Sequence, residues 1–130
     1  MRFLLDTHTL AWAVLEPDEL STRVRKILED PDNVPFVSTA SIWEISVKYR
    51  GGRWPAALPF MDEELHAGFL DSLRAVELPI TSRHARVAGQ FDVEHKDPFD
   101  RIIAAQALLE GLPLLSKDRA LDAFPITRVW

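Results

Sequence analysis

Four acidic side chains stand close to places where the sequence changes from one predicted element to the next, and their chemistry suits metal binding. They are Asp6, Glu44, Asp100 and Asp118. Like-charged carboxylates that lie close together repel one another, and protonation or a bound cation relieves the repulsion. Hard divalent cations prefer oxygen ligands, and Mg²⁺ is held by one or two carboxylates while it keeps several water molecules. A cluster of these four side chains would be an acidic metal site with room for a phosphate oxygen and an attacking water.

Three of the four residues also have a simple structural explanation. Asp6, in the stretch FLLDTHTLAW, is placed to cap a helix, and Asp118 is placed to start a short one. Ser41-x-x-Glu44 matches a capping box. Glu44 and Lys48 also have the spacing of a surface ion pair on a helix. Taken one at a time, these residues do not require a functional site.

Asp97 and Asp100 bracket the start of the most regular predicted helix. Asp97 is placed to cap it. Asp100 falls between small apolar residues, whereas the polar face of the helix, with Gln106 and Glu110, points elsewhere. A partly buried carboxylate needs a partner to remain charged. Asp100 is therefore the residue that is hardest to explain by structure alone.

Apolar runs of strand length alternate with helical patterns along the chain. The predicted strands are 2–5, 36–39, 75–80, 112–116 and 126–130, and the predicted helices are 8–15, 18–30, 40–50, 60–73, 81–91, 97–111 and 118–123, with a turn at 31–35 and a loop at 53–59. This alternation predicts a mostly parallel sheet with helices on both faces. Ligands of such sheets bind beyond the carboxyl ends of the strands, where the acidic residues are expected to converge.

Length and composition limit the kinds of protein that this chain can be. Its 130 residues fit a single domain. The absence of cysteine excludes a disulfide framework and a thiolate site, and it is compatible with a cytoplasmic setting. No run approaches ~18 consecutive apolar residues, and the N-terminus lacks the pattern of a cleavable signal, so no membrane span or leader is expected. A formal net charge of −5 means that any attraction for nucleic acid is local or supplied by a bound cation.

Three stretches together carry a resemblance to a known family. They are FLLDTHTLAW at the N-terminus, STASIWEISVK in the middle and HKDPFDRIIAAQALLEGLPLLSKD near the end. In this order they resemble a PIN domain, and specifically a VapC-type toxin of a type II toxin–antitoxin pair, over nearly the whole chain. The resemblance implies one PIN domain over residues 1–130, folded as a three-layer α/β/α sandwich around a mostly parallel sheet of about five strands.

The resemblance further implies a metal-dependent ribonuclease whose acidic set maps onto Asp6, Glu44, Asp100 and Asp118. Asp6 and Asp100 would ligate Mg²⁺ or Mn²⁺, directly or through water. Glu44 and Asp118 would complete the acidic pocket and help to position or deprotonate the attacking water.

Other positions are assigned supporting roles by the same resemblance. Thr7 and Ser116 would orient carboxylates or water by hydrogen bonds. Asp97 is interpreted as a helix cap or a supporting residue, and direct contact with the metal stays open as the less favoured alternative. The resemblance also implies homodimers, a cognate antitoxin that covers the site, and RNA as the substrate.

The few basic residues near the acids are expected either to be solvated or to form a local RNA track. Lys48, Arg50, Arg53 and Trp54 follow Glu44, and Lys117 and Arg119 flank Asp118. In the second interpretation the cations bind phosphates and Trp54 stacks on a base. Trp12 and Trp43 are predicted to be core or interface residues. His8 is not predicted to be a general base.

Two other functions remain open at this point. One is a non-catalytic binding module of the same fold that docks a protein or RNA partner, and the other is a DNA-directed PIN-like nuclease. Two further enzyme classes are disfavoured by single residues. Leu10 stands where D-T-H-x-H metal hydrolases have a second histidine, and His8 stands where a D-x-D phosphatase loop has its second aspartate.

Overall fold

A computed structural model describes residues 1–130 and contains one sheet of five strands. The strands are β1 (Arg2–Leu5), β2 (Val34–Ser38), β3 (Val76–Leu78), β4 (Leu114–Leu115) and β5 (Arg128–Val129). Their order across the sheet is β3-β2-β1-β4-β5, and every neighbouring pair is parallel. The predicted α/β class and strand number are confirmed, and the sheet is entirely rather than mostly parallel.

Helices make all the connections between consecutive strands. The α-helices are α1 (Thr7–Leu15), α2 (Thr22–Glu29), α3 (Thr39–Arg50), α4 (Glu63–Leu73), α5 (Ser82–Gln90) and α6 (Pro98–Glu110), and 3₁₀ helices span Pro17–Glu19, Pro55–Met61 and Arg119–Ala123. None of these helices has both the length and the apolar composition that crossing a bilayer requires.

An apolar cluster covers each face of the sheet. Successive residues of a strand point to opposite faces, so Phe3 and Leu5 belong to one cluster and Leu4 to the other. The first cluster includes side chains from α1, α2 and α3, and the second includes side chains from α6 and the 3₁₀ helix at 119–123. Leu4 and Leu5 are completely buried, as expected for a central strand that is covered on both faces. The predicted three-layer arrangement is therefore confirmed.

The strand order determines where a site can form. The chain runs from β1 outward to β2 and β3, and then crosses back to β4 and β5 on the other side of β1. Open parallel sheets bind ligands at such a switch point, beyond the carboxyl ends of the two strands. The residues that directly follow β1 and β4 are Asp6 and Ser116. The topology thus brings together two positions that are 110 residues apart in sequence.

The strand β2 begins inside the segment that was predicted as a turn. It starts at Val34 and includes Pro35, which pairs with Phe3 of β1. Pairing between β2 and β3 begins only at Phe36. Pro35 therefore lies near the start of the strand, where the missing amide hydrogen of a proline is tolerated.

The segment predicted as a loop at 53–59 contains most of a 3₁₀ helix instead. Ala57 and Phe60 of this helix are buried in the first apolar cluster, so tertiary burial orders a stretch with weak local signals. Helix α4 then begins at Glu63, later than predicted, because the Asp62 side chain caps it by accepting a hydrogen bond from the amide of Leu65. The strands β3, β4 and β5 are all shorter than the predicted runs.

Candidate functional site

Asp6 lies at the centre of the site because β1 ends directly before it and α1 begins directly after it. Its Oδ1 accepts a hydrogen bond from the amide of Thr7 at 2.7 Å, so Asp6 is the cap of α1. Its Oδ2 accepts a hydrogen bond from the Ser116 hydroxyl at 2.6 Å. Asp6 is only 6% exposed, and this burial raises the pKa of its carboxyl group above the usual range. A nearby cation would favour the charged form.

A chain of hydrogen bonds links the end of β4 to Asp6. The Ser116 hydroxyl donates to Asp6 and accepts a hydrogen bond from the amide of Asp118 at 3.0 Å. The Asp118 carboxylate accepts a hydrogen bond from the Ala120 amide at 2.9 Å, so Asp118 also starts the short helix as predicted. Asp118 is exposed, and together with Asp6 it lines a cleft of about 320 Å³.

Glu44 approaches the same region from α3. It is 5% exposed, and its Oε2 forms the predicted ion pair with Nζ of Lys48 at 2.8 Å. Its Oε1 is buried without any hydrogen-bond partner. The negative charge of Glu44 contributes to raising the pKa values of both Asp6 and Asp100.

The capping-box interpretation of Ser41 and Glu44 is wrong. Helix α3 begins at Thr39, and the hydroxyl of Ser38 caps it by accepting a hydrogen bond from the Ala40 amide at 3.0 Å. Ser41 instead accepts a hydrogen bond from the Thr7 hydroxyl at 3.1 Å. This bond connects α3 to the first residue of α1, next to Asp6.

Asp100 faces the cluster from the first turn of α6. Its Oδ2 lies 2.8 Å from Nε2 of His95, and its side chain is 15% exposed, in agreement with the expected partial burial. Burial is the main reason that the pKa of Asp100 is raised to about 6. The negative charges of Asp6 and Glu44 act in the same direction, whereas the hydrogen bond with His95 acts against them.

Arg101 fixes the segment that carries His95. Its guanidinium group donates to the carbonyl oxygens of Ala88, Phe91, Val93 and His95 at 2.8 to 3.0 Å. Because this planar group presents several donors in a rigid fork, it holds the segment after α5 against α6. Arg101 therefore positions His95 beside Asp100.

Two predictions about α6 have opposite outcomes. Asp97 caps the helix as predicted, because its Oδ1 accepts hydrogen bonds from the amides of Phe99 and Asp100 at 2.9 and 3.3 Å. Gln106, in contrast, is not on a solvated polar face but is completely buried. Its amide group donates to the carbonyl oxygens of Leu78 and Pro79, at 3.4 and 3.3 Å, because the chain after β3 crosses that part of α6.

The properties of the carboxylates fit a bound divalent cation. Glu44 has an unsatisfied buried oxygen, and Asp6 and Asp100 have raised pKa values. No three histidine, aspartate or glutamate side chains form a ready-made ligand set. An ion in this region would therefore rest on only one or two carboxylates and keep water in its other positions, which is how Mg²⁺ binds. Asp6 and Asp100 are the residues that would hold it.

An aromatic and basic cleft of about 360 Å³ adjoins the acidic one. It is lined by His8, Trp12, Lys48, Arg53 and Trp54. The ring of His8 stacks on that of Trp54 with a centroid distance of 5.4 Å, and Nζ of Lys48 lies 5.8 Å from the centroid of the Trp54 ring. His8 and Trp12 line both clefts, so the two form one continuous surface. We call the surface lined by these five residues the aromatic cleft.

Some of the other basic and aromatic residues considered in the sequence line the clefts, and others lie on the outer surface. Lys117 lines the acidic cleft with its Nζ 5.7 Å from the centroid of the Trp12 ring, and Arg119 lines a neighbouring cleft. Arg50 is exposed in the last turn of α3 and lines none of these clefts. Of the two predicted alternatives for Trp43, core or interface, its exposure of 55% excludes the core, and Trp12 is only half-buried at the cleft.

Sequence reasoning did not place Trp12 in the site, and it did not pair His95 with Asp100. Trp12 lies four residues after His8, so the two share one face of α1, and this spacing was an available signal. His95 lies in a segment without any periodic pattern. Its approach to Asp100 depends on the hydrogen bonds of Arg101, which no local pattern indicates.

Comparisons with known proteins agree with this fold. The sequence model of the PIN domain family matches residues 3–126. No curated protein matches the chain. The crystal structure of VapBC2 from Rickettsia felis bound to a DNA fragment from their promoter gives a TM-score of 0.68 at 16% identity, with 99% of this chain and 98% of that chain covered. The crystal structure of FitAcB from Neisseria gonorrhoeae gives a TM-score of 0.63 at 20% identity, with 100% and 97% covered.

Proposed function

The chain belongs to the PIN domain family, and we propose that it is a VapC-type toxin that hydrolyses RNA with the help of a divalent metal ion. In this proposal a cognate antitoxin inhibits the enzyme. The observation that carries it is the buried Asp6 at the topological switch point of the sheet, hydrogen-bonded to Ser116, together with a second buried acid, Glu44, that leaves one oxygen without a partner. A structural cluster of buried acids would be costly unless a ligand compensated it.

The proposed roles follow from where each carboxylate lies. Asp6 and Asp100 would hold Mg²⁺, or alternatively Mn²⁺, because burial and the negative charge of Glu44 make a neighbouring cation favourable for both carboxylates. When bound, the ion supplies Lewis-acid stabilisation of the phosphoryl oxygens. Ser116 orients Asp6 through its hydrogen bond to Oδ2, and Thr7 orients the start of α1 through Ser41.

Glu44 and Asp118 orient the attacking water and accept its proton. The Oε1 of Glu44, which has no other partner, and the exposed carboxylate of Asp118 orient the attacking water by accepting its hydrogen bonds. The water oxygen forms a bond to phosphorus as one bridging P–O bond breaks. A carboxylate accepts the proton of the water, and a solvent molecule protonates the leaving alkoxide. Asp97 supports this arrangement only as the cap of α6.

The adjoining clefts supply the contacts that an RNA strand needs. Lys48, Arg53 and Lys117 present cations beside the acidic site, and Trp54 presents an aromatic ring already stacked on His8. Cations that bind phosphates and rings that stack on bases are the usual components of single-strand recognition. The local positive charge offsets the repulsion expected from a net charge of −5.

The partners of the protein are part of the same proposal. A cognate antitoxin is supported by the similarity of the fold to chains of VapBC2 and FitAcB. A homodimer is supported by exposed apolar side chains on α3, where Trp43 is 55% and Val47 is 41% exposed. We expect the antitoxin and the second copy of the chain to bind the protein in the cytoplasm.

The decisive experiment maps the cleavage of total cellular RNA by the purified protein. We expect discrete cuts with Mg²⁺ and none with EDTA. The Asp6→Asn variant should remain folded, because asparagine also caps helices well, but it should not cut RNA. Full activity of this variant, with its metal supply saturated, would contradict the assignment of Asp6.

Other outcomes of the same experiment would point to the alternative functions. Binding of RNA or of an antitoxin without cleavage, whatever metal is supplied, would identify a non-catalytic binding module. Cleavage of DNA but not of RNA would identify a DNA-directed PIN-like nuclease.

A further inference from the structure

A cleft of about 460 Å³ beside the acidic site is lined by four basic side chains and one aromatic ring. They are Arg23, Lys117, Arg119, Arg128 and Trp130, and we call this surface the basic cleft. Arg23, Lys117 and Arg119 form no ion pair with any carboxylate. In a chain with a net charge of −5, this group of unpaired cations creates a local attraction for anions.

Arg128 lines the basic cleft with a guanidinium group that hydrogen bonds hold in place. Its Nε and one Nη atom donate to the two carboxylate oxygens of Asp122 at 2.8 and 3.1 Å, and its other Nη atom donates to the Ser116 carbonyl at 3.0 Å. Ser116 is also the residue whose hydroxyl binds Asp6. Arg128 therefore ties the basic cleft to the acidic site, while its own charge is compensated by Asp122.

The basic cleft is continuous with the acidic cleft. Lys117 lines both of them. The ring of Trp12, which lines the acidic cleft, contacts the ring of Trp130 edge-on with a centroid distance of 5.8 Å. A strand that passes Asp6 can thus remain on a cationic and aromatic surface from His8 to Trp130.

We propose that the basic cleft binds the phosphate backbone of a single RNA strand on one side of the scissile bond, while the aromatic cleft receives bases on the other side. This inference rests on the proposed function. A strand that is cut must extend past the site in both directions, and both clefts join the acidic cleft, the aromatic cleft through His8 and Trp12 and the basic cleft through Lys117. This continuity favours an RNA strand over an acidic segment of a protein as the occupant.

The residues of the basic cleft have different tasks in this proposal. Arg23 on α2 and Arg119 on the 3₁₀ helix after Asp118 are exposed and unpaired, so they contact phosphates away from the cut. Lys117 contacts the phosphate nearest the acidic site. Trp130 stacks on a base or sugar, as aromatic rings do in single-strand channels.

The test compares the double variant Arg23→Gln/Arg119→Gln with the matched control Arg83→Gln/Arg86→Gln, which changes two exposed arginines on α5. Binding of a fluorescent single-stranded RNA is measured by anisotropy over a range of salt, with EDTA present to prevent cleavage. Each lost phosphate contact should reduce the salt slope of the binding constant by about 0.7. We expect the cleft variant to bind about tenfold more weakly near 0.1 M salt, and the control to bind like the wild type.

The outcomes separate this inference from the proposed function. If the wild type binds and cuts RNA while both double variants match it in affinity and salt slope, the inference is wrong and the proposed function stands. If the wild type neither binds nor cuts RNA, both are overturned. If the cleft variant loses binding of polyglutamate but keeps its RNA affinity, the basic cleft belongs to a protein partner and the inference is wrong. Thermal unfolding checks that each variant is folded.

Discussion

The acidic residues of the site each have an ordinary structural contact as well. Asp6 caps α1, Asp118 caps the 3₁₀ helix at 119–123, and Glu44 pairs with Lys48. A capping residue lies between a strand or loop and the helix that follows. Backbone amides of the first helical turn donate to its side chain and so orient it. In a parallel sheet this is also where ligands bind. The structural and functional interpretations are therefore compatible, because the cap fixes the direction of the carboxylate.

Asp100 is expected to destabilise the protein at neutral pH. Its pKa is raised from 3.8 to about 6, so the folded state favours the protonated form and loses stability as the pH rises from about 4 to 6. This pKa difference corresponds to at most about 3 kcal/mol, which partial exposure to solvent reduces to about 1 to 2 kcal/mol. The Asp100→Asn variant should have a larger free energy of unfolding than the wild type by that amount at pH 7, without added metal. Urea denaturation measures it.

The pH dependence provides the control for this prediction. The stabilisation by Asp100→Asn should shrink as the pH falls from 6 to 4, where the wild-type carboxyl group becomes protonated as well. A loss of stability in Asp100→Asn at pH 7, or a gain that does not vary with pH, would contradict the assigned environment of Asp100.

At the scale of elements, the site depends on how α6 and the segment before it are held. Arg101 holds the carbonyl oxygens of that segment, and Asp97 caps the helix that carries Asp100. The αL conformation of Gly111, with a φ of 64°, ends α6 and allows the chain to turn into β4. The start of α6 therefore determines the position of Asp100, and its end determines how the chain reaches β4 and Ser116.

The structural role of Asp97 predicts different results for two substitutions. Asp97→Asn should keep most of the cleavage activity, because asparagine caps a helix about as well as aspartate. Asp97→Ala should lower the free energy of unfolding by about 1 kcal/mol, since it leaves the Phe99 and Asp100 amides without their acceptor. Urea denaturation and RNA cleavage measure the two effects. Near-total inactivation of a folded Asp97→Asn variant would instead make Asp97 a metal ligand.

At the scale of the whole molecule, negative and positive side chains lie next to each other at the carboxyl ends of the strands. The chain carries a net charge of −5, and its buried acids lie at the switch point between β1 and β4. The aromatic cleft and the basic cleft flank these acids with cations. A polyanion is therefore attracted locally although the protein as a whole repels it. A bound divalent cation would reduce the remaining repulsion at the acids.

Metal binding should stabilise the whole fold, because only the folded chain brings the acids together. At a Mg²⁺ concentration of about ten times Kd, linkage gives about 1.4 kcal/mol, or a rise in Tm of roughly 3 to 6 °C. NaCl of equal ionic strength should not reproduce this rise, and Asp6→Asn should abolish it. Differential scanning calorimetry measures Tm without any RNA. An equal rise for the wild type and Asp6→Asn would place the bound Mg²⁺ elsewhere on the protein.

The sequence by itself determined the elements and the residues at their ends. The apolar runs at β1, β2 and β4 and the helical pattern of α6 predicted the α/β class, because burial on both faces requires continuous apolar strands. The same patterns identified Asp6, Glu44, Asp97, Asp100 and Asp118 as acids near element ends. Local patterns also predicted that Asp97 caps α6 and that Glu44 pairs with Lys48.

Only the tertiary structure decided which of these ends meet. The return of the chain from β3 to β4 places Ser116 against Asp6, and the hydrogen bonds of Arg101 hold His95 against Asp100. It also buried Gln106, ordered the segment at 55–61 and assembled the basic cleft from α2, β5 and the segment after β4. Most of these arrangements depend on contacts between residues far apart in sequence, whereas His95 lies five residues before Asp100 in an irregular segment, so no local periodicity encodes any of them.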